Sequence, residues 1–369
     1  MTPQHSAQTL LYVGTYTKGD SRSEGIYVYR FDPTTGALTY LSVTPGITNP
    51  SFLAIDPQQR YLYAVSEVTT PDGQKGGAVN AFAIDAETGG LTHLNQQSTQ
   101  GADPCYLSVD ATGKFVLVAN YTSGSVCMFP IEADGRLGAI SDFVQHQGSS
   151  VDPSRQQGPH AHSFVIDPAN RYAFAPDLGL DRVMQYKPDW EKGKLGANNP
   201  PWVQIAAGAG PRHFDFHPSR RYAYVINELG STVTAFAYDE AKGTLAEIHT
   251  VSTLPTDFTG RSHCADIHVH PAGKFVYGSN RGHDSIAVFA IDEASGRLTT
   301  LGHALTQGRT PRNFTIDPTG AFLLAANQDS STVVTFAIDG ESGGLTPTGQ
   351  VAEVPTPVCL KWVQGAGSK

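Results

Sequence analysis

The sequence predicts an all-β protein: a seven-bladed β-propeller of four-stranded antiparallel blades, its last blade closed by the N- and C-terminal strands. Three observations predict it. A tight Gly-x-Leu turn recurs seven times, at Gly36-Ala-Leu38, Gly89-Gly-Leu91, Gly135-Arg-Leu137, Gly193-Lys-Leu195, Gly243-Thr-Leu245, Gly296-Arg-Leu298 and Gly343-Gly-Leu345. Its period is about 50 residues, in the range of propeller repeats. Each repeat holds four short apolar or alternating runs with no helical periodicity between them. The two chain ends each hold a fragment of one repeat, and the fragments complement each other.

The first run of a repeat ends in Asp-Pro or a variant: Asp56-Pro57, Asp110-Ala111, Asp167-Pro168, His217-Pro218, His270-Pro271 and Asp317-Pro318. A turn and a second run follow, as in Tyr61-Leu-Tyr-Ala-Val65 and Tyr222-Ala-Tyr-Val-Ile226. The third run alternates, as in Thr232-Val-Thr-Ala-Phe-Ala-Tyr238, and Gly-x-Leu then opens the fourth. At the start, Leu10-Leu-Tyr-Val-Gly14 reads as a second strand lacking its first. At the end, Pro357-Val-Cys-Leu-Lys-Trp-Val363 reads as a first strand alone. Joined, they complete the seventh blade and remove an open sheet edge. No domain boundary or linker interrupts the repeats, so residues 1–369 are expected to form one propeller domain with 1–9 as a flexible tail.

Hydrophobic content of 40% and charged content of 16% describe a globular chain. The formal net charge of -9 argues against a nucleic-acid partner. No apolar run approaches the ~20 residues of a membrane helix. Met1 to Thr9 is polar and lacks the basic-then-apolar pattern of a secretory signal. A cytoplasmic location with no membrane partner is the expectation. Cys105, Cys127, Cys264 and Cys359 show no C-x-x-C spacing and are expected to be buried thiols. A closed ring needs no partner, so a monomer or weak homo-oligomer is expected.

Blade topology locates the chemistry. In antiparallel strands, the start of strand one and the end of strand two lie at the same end of a blade. The loops between blades open there too, including Lys18 to Glu24, Val68 to Gly77 and Gln145 to Gly158. Variable loops on a rigid scaffold are where function usually sits. Aligned copies place Ser51, Cys105, His162, Arg212, Ala265, Arg312 and Val358 at the start of the innermost strand. Tyr16, Glu67, Tyr121, Leu178, Glu228, Arg281 and Gln328 fall at the end of strand two. His162, Arg212, Glu228 and Arg281 thus gather at one side of the channel mouth as catalytic candidates. His160, His213, Arg312, Glu67, Tyr121 and His283 are candidate substrate contacts. Arginines gathered on an acidic protein point to an anionic substrate. His213 lies one step off the aligned position and is expected to support Arg212 more than to act itself.

Other motifs carry less. His160-Ala-His162 puts two imidazoles on one strand face, a start for a metal site, but no third or fourth ligand follows. His268-Val-His270 reads as structural. There is no G-x-S-x-G elbow, Walker A or dinucleotide fingerprint.

Four segments carry a resemblance: Gly158-Pro-His-Ala-His162, Gly210-Pro-Arg-His213, Asn227-Glu-Leu-Gly-Ser231 and Asn280-Arg-Gly-His-Asp-Ser285. With them the chain resembles, over nearly its whole length, the seven-bladed propeller lactonases. That family includes bacterial 6-phosphogluconolactonases and fungal carboxymuconate-lactonizing enzymes. The resemblance implies an active site of His162 (or His160), Arg212, Glu228 and Arg281, and no metal or other cofactor. It implies hydrolysis of a small anionic lactone, 6-phosphogluconolactone or a related aldonolactone. Glu228 or His162 would activate water. Arg212 would face the oxyanion. Arg281 and Arg312 would hold a phosphate or carboxylate. On this reading Glu228→Gln abolishes turnover with little loss of stability. The alternatives are a cycloisomerase closing a muconate to a lactone, and a non-catalytic propeller binding a ligand or partner protein.

Overall fold

The computed structural model describes residues 8–69 and 76–364. Among them lie seven four-stranded antiparallel sheets and no helix. Blades one to six run outward in chain order from the innermost strands Leu53–Ile55, Pro104–Val109, Val165–Ile166, Pro211–Phe216, His263–Val269 and Pro311–Ile316. Blade seven runs outward as Pro357–Gln364, Thr9–Thr15, Gly25–Phe31 and Leu38–Pro45. Closure is in register, with Tyr12 opposite Lys361 and Val13 opposite Leu360. Thr9, assigned from sequence to the flexible tail, is instead the first residue of its strand and pairs with both Phe31 and Gln364. Residues 1–7 and 70–75, part of the expected tail and of the Val68 to Gly77 loop, lie outside the described residues. All four cysteines are free and buried.

The seven Gly-x-Leu turns join strands three and four of each blade, and they also join blades. Their glycines have positive φ, 84° at Gly135 and 64° at Gly243. A Cβ on Gly135 would stand 2.2 Å from the Tyr61 ring, and one on Gly243 2.2 Å from the Tyr172 ring, each in the preceding blade. Second-strand tyrosines complete the contact. Tyr12, Tyr63, Tyr224 and Tyr277 donate their hydroxyls to the carbonyls of Gly89, Gly135, Gly296 and Gly343.

On the same face the Asp-Pro turns split by residue type. Asp56 Oδ1 accepts the backbone N–H groups of Arg60 and Tyr61, both at 2.6 Å, closing its own turn. Asp110 and Asp167 do likewise. The histidine versions reach onward instead. His217 Nε2 lies 2.8 Å from Gly273 O, and His270 Nε2 2.9 Å from Gly320 O.

The opposite face depends on a distortion. In blade four, Pro211 faces Asn227 while His213 faces Ile226, so Arg212 is an extra residue in a β-bulge. Blades two and six repeat this at Cys105 and Arg312. In blade five the register slips between Cys264 and Ile267, around Ala265 and Asp266. A bulge breaks strict alternation and re-aims side chains. Consecutive residues Arg212 and His213 therefore both reach the channel. His213, expected as a substrate contact that supports Arg212, thus stands beside it on the channel.

Candidate active site

Six of the seven positions aligned at the start of the innermost strand line one cavity: Ser51, Cys105, His162, Arg212, Arg312 and Val358. Glu67, His213 and Phe52 complete its wall. The seventh position, Ala265, offers its carbonyl to Arg212 Nη1. The cavity measures about 10 Å³, room for about one water. A sugar-sized ligand enters only if rim side chains move.

Three arginines converge on Glu228. Arg212 Nε donates to Oε2 at 3.0 Å, and Arg281 Nη2 forms an ion pair with the same oxygen at 2.8 Å. Arg155 Nη2 donates to Oε1 at 2.7 Å. Burial works to raise the Glu228 pKa, but Arg281, Arg212 and His162 overcome it and hold it well below the usual carboxylate range. Burial, then Arg281 and Arg312, lowers Arg212 to about 10. Arg212 is only 2% exposed, so its charge survives inside the protein through Glu228.

Across the cavity sits the other carboxylate. Tyr16 Oη lies 3.0 Å from both Glu67 oxygens, and Ser51 Oγ donates to Oε2. Burial raises the Glu67 pKa against the pull of Arg312 and these hydroxyls. The Arg312 guanidinium lies 5.3 Å from the centre of the Tyr16 ring. It makes no ion pair within 4 Å to any described carboxylate. Arg281 Nε is a buried donor without a partner.

Two imidazoles face the same space. Burial and the nearby Arg212 push His162 well below its ordinary value and His213 to about 4. Both are neutral at pH 7. His213 Nδ1 lies 2.7 Å from Asp266 Oδ1, while the nearest polar partner of the His162 ring is Cys105 Sγ, 3.6 Å from Nδ1. Asp266 also meets His268, 3.1 Å from Oδ2, and Asn313. The sequence pair His268 and His270 therefore divides: His270 bridges turns, and His268 belongs to the channel.

The other sequence candidates lie further out. Tyr121 stands at the rim, stacked on His160 at 4.7 Å and edge-on to His162 at 5.1 Å. His160 Nδ1 lies 3.0 Å from Tyr121 O. His283 is not brought to the cluster. Two residues beyond its strand's end, it packs between Phe258 and His303, with Nδ1 2.6 Å from Ser285 Oγ.

Arg155 is the residue that sequence reasoning missed. Its loop is pinned by His146 Nδ1 to Asp177 at 2.6 Å, Ser150 Oγ to Asp181 at 2.5 Å and Gln156 Nε2 to Leu178 O at 2.8 Å. That pinning aims Arg155 over Tyr121 Oη, at 3.1 Å, and onto Glu228. The loop lies on the face that blade topology predicts. An arginine inside it was the available signal, but a loop outside the repeat has no register to align.

Fold and site together define a propeller enzyme with a polar cavity on its axis, rich in arginine. The chain belongs to the seven-bladed β-propeller lactonase family, whose model matches residues 10–362. It is 42% identical over 353 residues to the 6-phosphogluconolactonase of Bacillus subtilis (strain 168), covering 95% of this chain and 97% of that one. Among solved structures, a putative 6-phosphogluconolactonase from Bacteroides fragilis superposes with a TM-score of 0.90 at 40% identity, covering 98% of this chain and 99% of that one. The periplasmic gluconolactonase of Pseudomonas aeruginosa superposes with a TM-score of 0.90 at 38% identity, covering 98% and 100%. The protein is a lactone hydrolase, and these matches favour neither the cycloisomerase nor the binding-only alternative. No described helix is long and apolar enough to cross a membrane.

Proposed function

We propose that this enzyme hydrolyses 6-phosphogluconolactone. The observation that carries the reading is the cation excess around the cavity: Arg155, Arg212, Arg281 and Arg312 against Glu67, Glu228 and Asp266, with Arg312 making no ion pair within 4 Å to a described carboxylate. An anionic substrate supplies the missing charge. The names of the Bacillus and Bacteroides relatives support the same substrate.

In this reading a neutral imidazole accepts the proton of the attacking water. His162 and His213 both border the cavity. Arg212 Nη2 has no hydrogen-bond partner among the described residues and faces the developing oxyanion. Glu228 is a poor base because three guanidinium groups stabilise its charge, so its role is to hold Arg212 and Arg281 in place. Arg155 swings from Glu228 to the substrate phosphate, exchanging one anionic partner for another. A phosphorylated substrate favours a cytoplasmic location.

The Pseudomonas relative is called a gluconolactonase, which favours a second reading in which the unphosphorylated lactone is the substrate. Rates on the two lactones separate these. The first reading expects kcat/KM to be higher for 6-phosphogluconolactone. It also expects Arg155→Ala to raise KM about tenfold for that substrate, the worth of one charge-assisted hydrogen bond, with little change for gluconolactone. Equal or better rates on gluconolactone, with Arg155→Ala indifferent to phosphate, would establish the second. Cell fractionation tests the location.

A further inference from the structure

We propose that His213, held by Asp266 with His268 behind it, is the base that takes the proton from the attacking water and returns it to the leaving ring oxygen. The inference rests on the lactonase reading above and assigns a step within it.

The geometry separates His213 from its rivals. The bulge at Arg212 turns the His213 ring toward the cavity beside the arginine that faces the oxyanion. Its Nδ1 lies 2.7 Å from Asp266 Oδ1, so Nδ1 carries the hydrogen and Nε2 keeps a lone pair. That Nε2 makes no hydrogen bond to any described residue. Asp266 is itself oriented by His268, by Asn313 and by the backbone N–H of Ile267 at 3.0 Å. The ring is walled edge-on by Phe52 at 5.9 Å, Tyr106 at 5.4 Å and His162 at 5.4 Å. A carboxylate behind a neutral imidazole fixes its tautomer and stabilises the imidazolium that forms.

The rivals lack that arrangement. His162 has a thiol rather than a carboxylate beside Nδ1. An imidazolium there would face Arg212, and the carboxylate that bears on it, Glu228, is already held by three arginines. Both Glu228 oxygens are held by arginines. Both Glu67 oxygens are held by hydroxyls.

The step balances. His213 Nε2 accepts a proton from water as the water oxygen bonds to the lactone carbonyl carbon. The carbonyl π pair moves onto its oxygen, which faces Arg212. As the tetrahedral intermediate collapses, the bond to the ring oxygen breaks and that oxygen takes the proton from Nε2. The product is the open-chain hydroxy acid, which ionises in solvent.

The groups facing His213 are Asp266 and His268 from blade five, Arg212 from its own strand, His162 from blade three and Tyr106 from blade two. Burial and Arg212 depress its protonation, and Asp266 partly offsets them, to a pKa of about 4. The kcat/KM profile of the wild type, which reports the free enzyme, is therefore expected to rise through an acid limb near that pH.

The test begins with the wild-type enzyme on 6-phosphogluconolactone and gluconolactone. If it hydrolyses neither, the lactonase reading fails and this inference falls with it. If it hydrolyses one, His213→Ala is expected to lose at least about 100-fold in kcat, and added imidazole to restore part of the rate. His162→Ala is expected to gain nothing from imidazole. A His213→Ala enzyme within threefold of wild type, or imidazole rescue confined to His162→Ala, would overturn the assignment. Should His213→Ala fail to fold, Asp266→Asn decides. The proposal expects kcat to fall more than KM changes and the acid limb to move to lower pH. An unmoved limb would reduce Asp266 to a structural role and remove the relay.

Discussion

Glu228 sits between Arg155, Arg212 and Arg281 with its side chain 7% exposed, and this changes what its substitution does. A lone catalytic carboxylate could be made neutral at little structural cost. Here Glu228→Gln leaves buried guanidinium groups without their counter-charge, and breaking a buried pair costs about 3–5 kcal/mol. The variant is expected to lose activity and about 3 kcal/mol or more of unfolding free energy, read from urea titration. Loss of turnover at unchanged stability would restore Glu228 as the base. At this scale the sequence located His162, Arg212 and Glu228 by their places in the repeat. Arg155 was hidden because it lies outside the repeat. His213 is legible only as a support for Arg212, one step off the aligned position, because the bulge that turns both residues to the channel has no mark in the repeat.

Among the elements, the Gly-x-Leu turn performs two tasks, and its substitution separates them. Gly243 has φ of 64°, and a Cβ there would meet the Tyr172 ring at 2.2 Å. Gly349 has φ of 82° with nothing within 4 Å of an added Cβ. Gly349→Ala is expected to cost about 1 kcal/mol, the backbone term alone. Gly243→Ala adds overpacking of about 1–3 kcal/mol, for a total of about 2–4 kcal/mol. Equal losses in chemical denaturation would show that the turn carries no contact between blades. The turns were legible because glycine is demanded locally by φ. Their packing against the preceding blade was not, since it depends on residues about one blade earlier in the chain, where sequence spacing reports no contact.

For the whole molecule, closure is the decisive feature. Pro357–Gln364 supplies the innermost strand of blade seven and, through Val358, part of the cavity wall. Removing it exposes the Thr9–Thr15 strand as an unpaired edge, a template for association between chains. A chain ending before Pro357 is expected to elute from size exclusion as aggregate and to lack lactonase activity. A soluble, active monomer would refute the need for closure.

By itself the sequence determined the blade count, the closing strands and the residues presented to the channel mouth. Each follows from a local rule: a turn that needs glycine, a strand that alternates, a repeat that counts. Only the tertiary structure decided which of those residues meet. It turned Arg212 and His213 to the same space through a bulge, carried Arg155 over the mouth from a pinned loop and left His283 outside. It also divided the chemistry, holding Glu228 ionised among arginines and His213 neutral against Asp266. Charge states depend on burial and on neighbours brought together from different blades, and no repeat register encodes those.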